Sequence, residues 1–155
     1  MSPQLPTLNL PPAHLSTRMV EGCVRILDPL RHTFVALTPE EWVRQNFVSF
    51  LHHHKGYPLA LMANEVSISM AGMSRRCDTV IYDRSLRPLM IVEYKRPDVK
   101  ITQRVFEQIS RYNHTMHVDN LVVSNGMQHY CCRMDYAITS YTFLNDIPTW
   151  QELIN

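Results

Sequence analysis

An α/β domain with a mixed central sheet flanked by helices is the fold class this sequence predicts, on three observations. Short runs of β-branched and aromatic residues recur along the chain. Two longer stretches with helical periodicity interrupt them. The second of these separates two apolar strands, and a right-handed crossover makes those strands parallel neighbours among otherwise antiparallel hairpins. The chain has 155 residues, enough for one domain with a sizeable core. Residues 1–18, with several prolines and no basic run of the secretory kind, are expected to form a flexible arm, and residues 19–155 a single domain.

The elements follow in order. Val20 to Leu27 reads as a first strand, ended by the turn signal Asp28-Pro29, and Phe34 to Leu37 continues it after a loop. Thr38-Pro39-Glu40-Glu41 is a helix start: Thr38 caps, Pro39 takes the first helical position, and Glu41 closes a capping box. The helix runs from Trp42 to about His53, with Trp42, Phe47, Phe50 and Leu51 near one stripe, and Gly56-Tyr57-Pro58 ends it. Leu59 to Met70 reads as a long strand, followed by a turn at Ala71-Gly72-Met73-Ser74 and a hairpin of Cys77–Asp83 with Pro88–Lys95. Ile101 to His117 is helical, its stripe comprising Ile101, Val105, Phe106, Ile109, Tyr112 and Met116. Asn120 to Ser124, Met127 to Met134 and Tyr136 to Phe143 read as strands, with Asn125-Gly126 as a turn, and Pro148 to Ile154 as a short helix.

The chemistry concentrates in the hairpin. Glu93 and Lys95 end the apolar run that starts at Pro88, and period 2 puts them on one face with Tyr94 on the other. If Asp83 pairs with Pro88, Asp78 falls directly opposite Glu93. Facing carboxylates have Cβ atoms roughly 4.5–5.5 Å apart and repel unless one is protonated or a cation lies between them. A hard divalent ion with oxygen ligands fits such a pair, and Lys95 beside it can meet a developing charge.

Composition narrows the options. The net charge of +1 and pI of about 7.8 exclude a protein that grips nucleic acid with its whole surface. Any such contact is a local patch, and Arg75, Arg76, Arg84, Arg87, Lys95, Arg96, Lys100 and Arg104 cluster around the acidic pair in sequence. No segment approaches the length of a membrane span. Cys23, Cys77, Cys131 and Cys132 lack zinc-ribbon spacing and are expected to be reduced thiols in a cytoplasmic protein. His52-His53-His54 ends a helix, where adjacent side chains diverge too far to chelate one ion.

The ordered stretches Leu37–Gln45, Arg76-Cys77-Asp78, Ile91–Pro97, Gln108–Asn113 and Val123–Gly126 resemble the PD-(D/E)xK nuclease superfamily, and more narrowly the N-terminal domain of type I restriction enzyme R subunits. The resemblance implies a restriction-endonuclease-like sheet and an Mg²⁺-dependent DNA endonuclease, with Mn²⁺ able to substitute. It implies that Asp78, Glu93 and the Tyr94 main-chain carbonyl bind the metal and that Lys95 acts on the attacking water or the phosphate. Glu41 matches an acidic position that can reach the metal shell, and Gln108 and Tyr112 match a Q-x₃-Y element. Arg76, Arg96, Lys100 and Arg104 are then the expected DNA contacts. Cys77 stands where the family motif has proline. The sequence contains no G-x-x-x-x-G-K-[ST], so a separate motor or specificity subunit is an expected partner beside DNA, and a homodimer is a further candidate. The competing reading is a module that keeps the fold and binds nucleic acid or protein without cutting.

Overall fold

In the computed structural model, which describes residues 4–155 apart from 71 and 139, a small sheet precedes a larger one. Strands β1 (Thr17–Val20), β2 (Cys23–Asp28) and β3 (Thr33–Ala36) form a three-stranded antiparallel sheet. Helix α1 (Pro39–Lys55) follows, then β4 (Met62–Met70), β5 (Met73–Tyr82), β6 (Pro88–Tyr94), α2 (Gln103–Met116), β7 (Asn120–Ser124), β8 (His129–Asp135), β9 (Ser140–Leu144) and α3 (Trp150–Ile154). The six strands from β4 to β9 make one sheet in sequence order. Its β6–β7 pair is parallel, joined by α2 as a crossover, and its other pairs are antiparallel. The expected mixed sheet is therefore present.

Helix α1 starts as its sequence dictates. The Thr38 hydroxyl accepts from the Glu41 amide at 3.0 Å, Pro39 fills the first turn, and Gly56 closes the helix in the left-handed region. Val43, Phe47, Val48 and Leu51 pack against Met90, Val92 and Tyr94 of β6, and Tyr57 and Trp150 seal the same cluster. On the opposite face, Phe106 and Ile109 of α2 cover Leu121 and Val123, while Met116 packs with Val80 and Ile91. Each such side chain contributes about 1.5–3 kcal/mol on burial. Strict alternation in β6 sends Met90, Val92 and Tyr94 toward α1 and leaves Ile91 and Glu93 on the α2 face.

Several expectations need correcting. The single first strand is a hairpin, with Glu21 and Gly22 turning between β1 and β2 at positive φ. Trp42 is not on the core stripe: its indole N–H donates to the Pro6 carbonyl at 3.0 Å. Tyr112 is 47% exposed rather than part of the α2 core stripe. Asp83 does not pair with Pro88: Tyr82 does, across an irregularity at Ile81/Tyr82. Asp83 instead caps the loop, its carboxylate accepting from the Ser85 and Arg87 amides at 2.8 and 2.9 Å. Ala71 of the expected turn and Thr139 of the expected last strand lie outside the described residues.

The stretch expected to be a free arm is docked along part of its length; Met1 to Pro3 lie outside the described residues. Leu8 and Leu10 pack on the α1 core, Asn9 donates its amide to the Gly126 carbonyl at 2.9 Å, and a ring nitrogen of His129 lies 2.9 Å from the Asn9 carbonyl. Gly126 sits at φ +85°, and a Cβ there would lie 2.7 Å from Leu8 Cδ2. Gly126→Ala is therefore expected to lower stability by about 1–3 kcal/mol, from strain in the left-handed region plus displacement of Leu8. A chemical melt checks this, and an unchanged midpoint would mean that the Leu8 contact carries no weight.

Candidate active site

The acidic pair sits where the sheet forks. The β5–β6 ladder runs from Tyr82↔Pro88 to Thr79↔Val92. Beyond it β5 continues beside β4, with Cys77↔Val66 and Arg76↔Ser67, while β6 continues beside β7, with Glu93↔Val123 and Tyr94↔Ser124. One step past Thr79↔Val92, the same register sets Asp78 opposite Glu93. Inside the fork the Tyr94 amide donates to Asp78 Oδ2 at 2.9 Å, and the Asp78 and Glu93 carboxyl groups lie within hydrogen-bonding reach of each other.

Glu93 is held on its other side by Arg75, whose Nη2 donates to Glu93 Oε1 at 2.7 Å. The Arg75 guanidinium lies over the Tyr112 ring, 5.1 Å from its centre, and its Nη1 is buried with no partner among the described residues. Burial first, and the neighbouring Asp78 second, push the Glu93 carboxyl up to about 8. Arg75 and Lys95 pull the other way without prevailing. Lys95 is half-buried and makes no side-chain hydrogen bond or ion pair among the described residues, while its amide donates to the Ser124 carbonyl at 2.9 Å. Asp78 and Glu93 thus face each other in the fork, and Lys95, just past the end of β6, lies near enough for its charge to act on Glu93.

Glu41 does not join them. The second half of the expected capping box is absent, since the Thr38 amide donates to the Ala36 carbonyl. The Glu41 carboxylate instead accepts from Arg31 Nη2 and Arg44 Nε, both at 2.7 Å, and from Gln45 Nε2 at 3.3 Å. Both of its oxygens are thus engaged by side chains of the small-sheet turn and of α1 itself. Arg44 passes the contact on, donating to the Asp78 carbonyl at 2.7 Å and to Glu65 Oε1 at 2.5 Å. The helix acid that does sense the site is Glu40. Its carboxyl is raised by partial burial first and by Asp78 next, with Arg44 and Lys95 opposing.

Sequence reasoning missed Arg44, Glu40 and, as a site residue, Arg75. A signal for Arg44 was present: it lies one helical turn after Glu41 and beside core position Val43, where an arginine needs buried partners.

Gln108 and Tyr112 share a face as expected. With Met73, Arg104 and Arg111 they line a groove of 460 Å³ that Tyr112 connects to Arg75 and so to Glu93. Of the expected DNA contacts, Lys100 and Arg104 are exposed, Arg96 pairs loosely with Asp98 at 3.2 Å, and Arg76 pairs with Glu65 at 2.6 Å. His52 is tied by its ring Nδ1 to the Tyr57 carbonyl at 2.8 Å. Among the described residues no group of three or more His, Cys, Asp or Glu side chains is arranged to hold a metal ion, so any ion here relies on two carboxylates and main-chain or substrate oxygens. No helix among them is long and apolar enough to cross a membrane.

A mixed sheet with its acids at a strand fork is a restriction-endonuclease-like α/β architecture. The chain belongs to the family described as the type I restriction enzyme R protein N terminus, whose model matches residues 39–148. A solved fragment described as an HsdR subunit of a type I restriction enzyme, from Vibrio vulnificus YJ016, shares the fold with a TM-score of 0.54 and 19% identity over 76% of this chain. The match covers 25% of that solved chain, so the present chain spans about a quarter of its length. No curated protein matches the sequence. The three-stranded sheet β1–β3 precedes the matched residues.

Proposed function

We propose that this domain is a metal-dependent DNA endonuclease of the PD-(D/E)xK type that works beside separate motor and specificity subunits of a restriction–modification system. The observation that carries the reading is the Asp78–Glu93 pair, two carboxyl groups crowded together inside a sheet fork with Lys95 beside them. Such crowding is costly unless one acid is protonated or a cation lies between the two.

The donor set suits Mg²⁺, with Mn²⁺ as a substitute: hard oxygens and few protein ligands, the remaining positions falling to water and phosphate. Asp78 and Glu93 would hold the ion, with the Tyr94 main-chain carbonyl as a third ligand. When bound, it would polarise the scissile phosphate and lower the pKa of a bound water. Lys95 offers an ammonium, not hydrogen-bonded through its side chain among the described residues, to the charge that develops on the phosphate. Glu40 lies close enough to Asp78 and Lys95 to influence both charges. The exposed side chains of Lys100, Arg104 and Arg96 suit backbone contacts with DNA, which give affinity without sequence choice. Arg76, though exposed, is already paired with Glu65. Gln108 and Tyr112 extend the same surface.

Incubation with supercoiled plasmid tests the reading. With Mg²⁺ or Mn²⁺ the protein should nick and linearise the plasmid, and EDTA should stop it. Glu93→Gln and Lys95→Met should each cut at least about 100-fold more slowly while remaining folded, the scale of losing one transition-state contact. Cutting by Glu93→Gln at the wild-type rate would overturn the site. DNA binding without cutting under any ion would favour the competing reading, a catalytically silent module.

A further inference from the structure

The turn between β2 and β3 of the small sheet, outside the family-matched residues, carries a partly buried arginine, Arg31, and its contacts lead to both sides of the fork. Arg31 follows β2 and stands at the junction of two polar chains. Its Nε donates to Asp28 Oδ2, and its Nη2 donates to Glu41 Oε1 at 2.7 Å. From Asp28, fully buried, one chain runs to Asn64 at 2.9 Å, from Asn64 to the Thr79 hydroxyl at 2.6 Å, and from there to the Tyr94 hydroxyl at 2.8 Å. From Glu41 the other runs to Arg44 and ends on the Asp78 carbonyl at 2.7 Å. The two chains thus reach the two residues that the Tyr94 amide joins to Asp78 Oδ2.

Burial alone would raise the Asp28 carboxyl, but hydrogen bonds from Asn64 and Arg31 hold it below the usual carboxylate range. Asp28 is therefore charged at neutral pH and needs its cation. A planar guanidinium can serve two carboxylates at once from one rigid fork, which an ammonium does not reproduce.

We propose that Arg31 is a positioning residue for the candidate site, acting through Glu41–Arg44 on Asp78 and through Asp28–Asn64–Thr79 on Tyr94. The small sheet is on this account a working part of the site, although it lies outside the residues that define the family. The inference depends on the metal-site reading only for its metal readout.

The test compares the full chain with Arg31→Met, Arg31→Lys and a control, Arg25→Met, which removes an exposed arginine from the same sheet. Without metal, backbone amide exchange is measured for Tyr94, which bonds Asp78, and for Lys95, which bonds Ser124 in the neighbouring ladder. A positioning role predicts faster exchange at Tyr94 relative to Lys95 in both Arg31 variants and no change in Arg25→Met. A merely structural role speeds both amides together and overturns the proposal.

With Mn²⁺, affinity should fall about 10-fold in the Arg31 variants, the scale of losing a group that orients a ligand. Removing a nearby positive charge would by itself strengthen cation binding, so the sign separates geometry from charge. Affinity unchanged or strengthened in Arg31→Met, with wild-type binding intact, overturns the proposal. If the wild type binds no Mn²⁺, the metal-site reading fails and the exchange ratio alone decides. Should Arg31→Met not fold, Arg31→Lys carries both readouts.

Discussion

Arg44→Met is expected to lower stability by about 3–5 kcal/mol, the cost of removing one partner from a buried ionic cluster. For a chain of this size that is a fall of roughly 6–20 °C in melting temperature. Arg44 has only 6% of its side chain exposed and bonds Glu41, Glu65 and the Asp78 carbonyl. Burial disfavours its charge, but the carboxylates around it hold its pKa above the ordinary arginine value. Methionine fills most of the volume and leaves Glu41, itself nearly buried, with Arg31 as its remaining cation. The reverse change is milder. Glu65 is more exposed and also bonds Arg76, so Glu65→Gln should cost less than half as much. Urea melts of the two variants decide the matter, and equal small effects would show that the cluster is solvated rather than buried.

The second large effect depends on pH. In metal-free protein the Glu93 carboxyl is raised from an ordinary 4.5 to about 8. Between those values the unfolded chain has lost a proton that the folded chain keeps. The contribution of Glu93 to stability is therefore full below the lower value, falls as pH rises through the window, and is level above the upper one. The loss is about 2–4 kcal/mol, taken below the full shift because the Glu93 side chain keeps 12% of its surface in contact with solvent. Glu93→Gln should remove this slope, and in EDTA at pH 8 it should be more stable than the wild type. Asp78→Asn should do the same in part, by removing the neighbouring charge. Saturating Mg²⁺ should restore about 1–3 kcal/mol to the wild type and little to either variant. Melts in EDTA and in Mg²⁺ between pH 5 and about 8.5 check each point. Parallel pH profiles for wild type and Glu93→Gln would mean that the pair is not crowded in solution.

Local signals made much of this fold legible. The strand Asn120–Ser124 is bounded by polar residues and a turn, and its observed ends match the reading. The Thr38-Pro39 helix start needed only its own residues. The β1–β2 hairpin was hidden because Glu21, which is no turn former, adopts φ +50° beside Gly22. The slip at Ile81/Tyr82 follows from the Asp83 side chain capping its own loop, with Leu86 at φ +63°, which strand periodicity does not show. The site divided the same way. Asp78, Glu93 and Lys95 sit on one hairpin, so the pattern of that hairpin brought them together. Arg44, Arg75 and Arg31 each reach at least one partner on another element, and a charged side chain does not announce which distant acid it will meet. Glu41 misled for a related reason: its amide does serve the cap, while its carboxylate answers to arginines from two directions.

The bond from the Tyr94 amide to Asp78 Oδ2 bears on how an inactive control should be built. Where the strands part, that N–H has left the β5 ladder, and a side chain has taken the place of a backbone carbonyl. Alanine at position 78 would erase the charge and also strand a main-chain donor, a penalty of about 1–3 kcal/mol unrelated to any ion. Asparagine keeps an oxygen in reach of the same donor. An alanine control would thus confound lost chemistry with a loosened strand end, whereas asparagine alters the charge and leaves the backbone its partner.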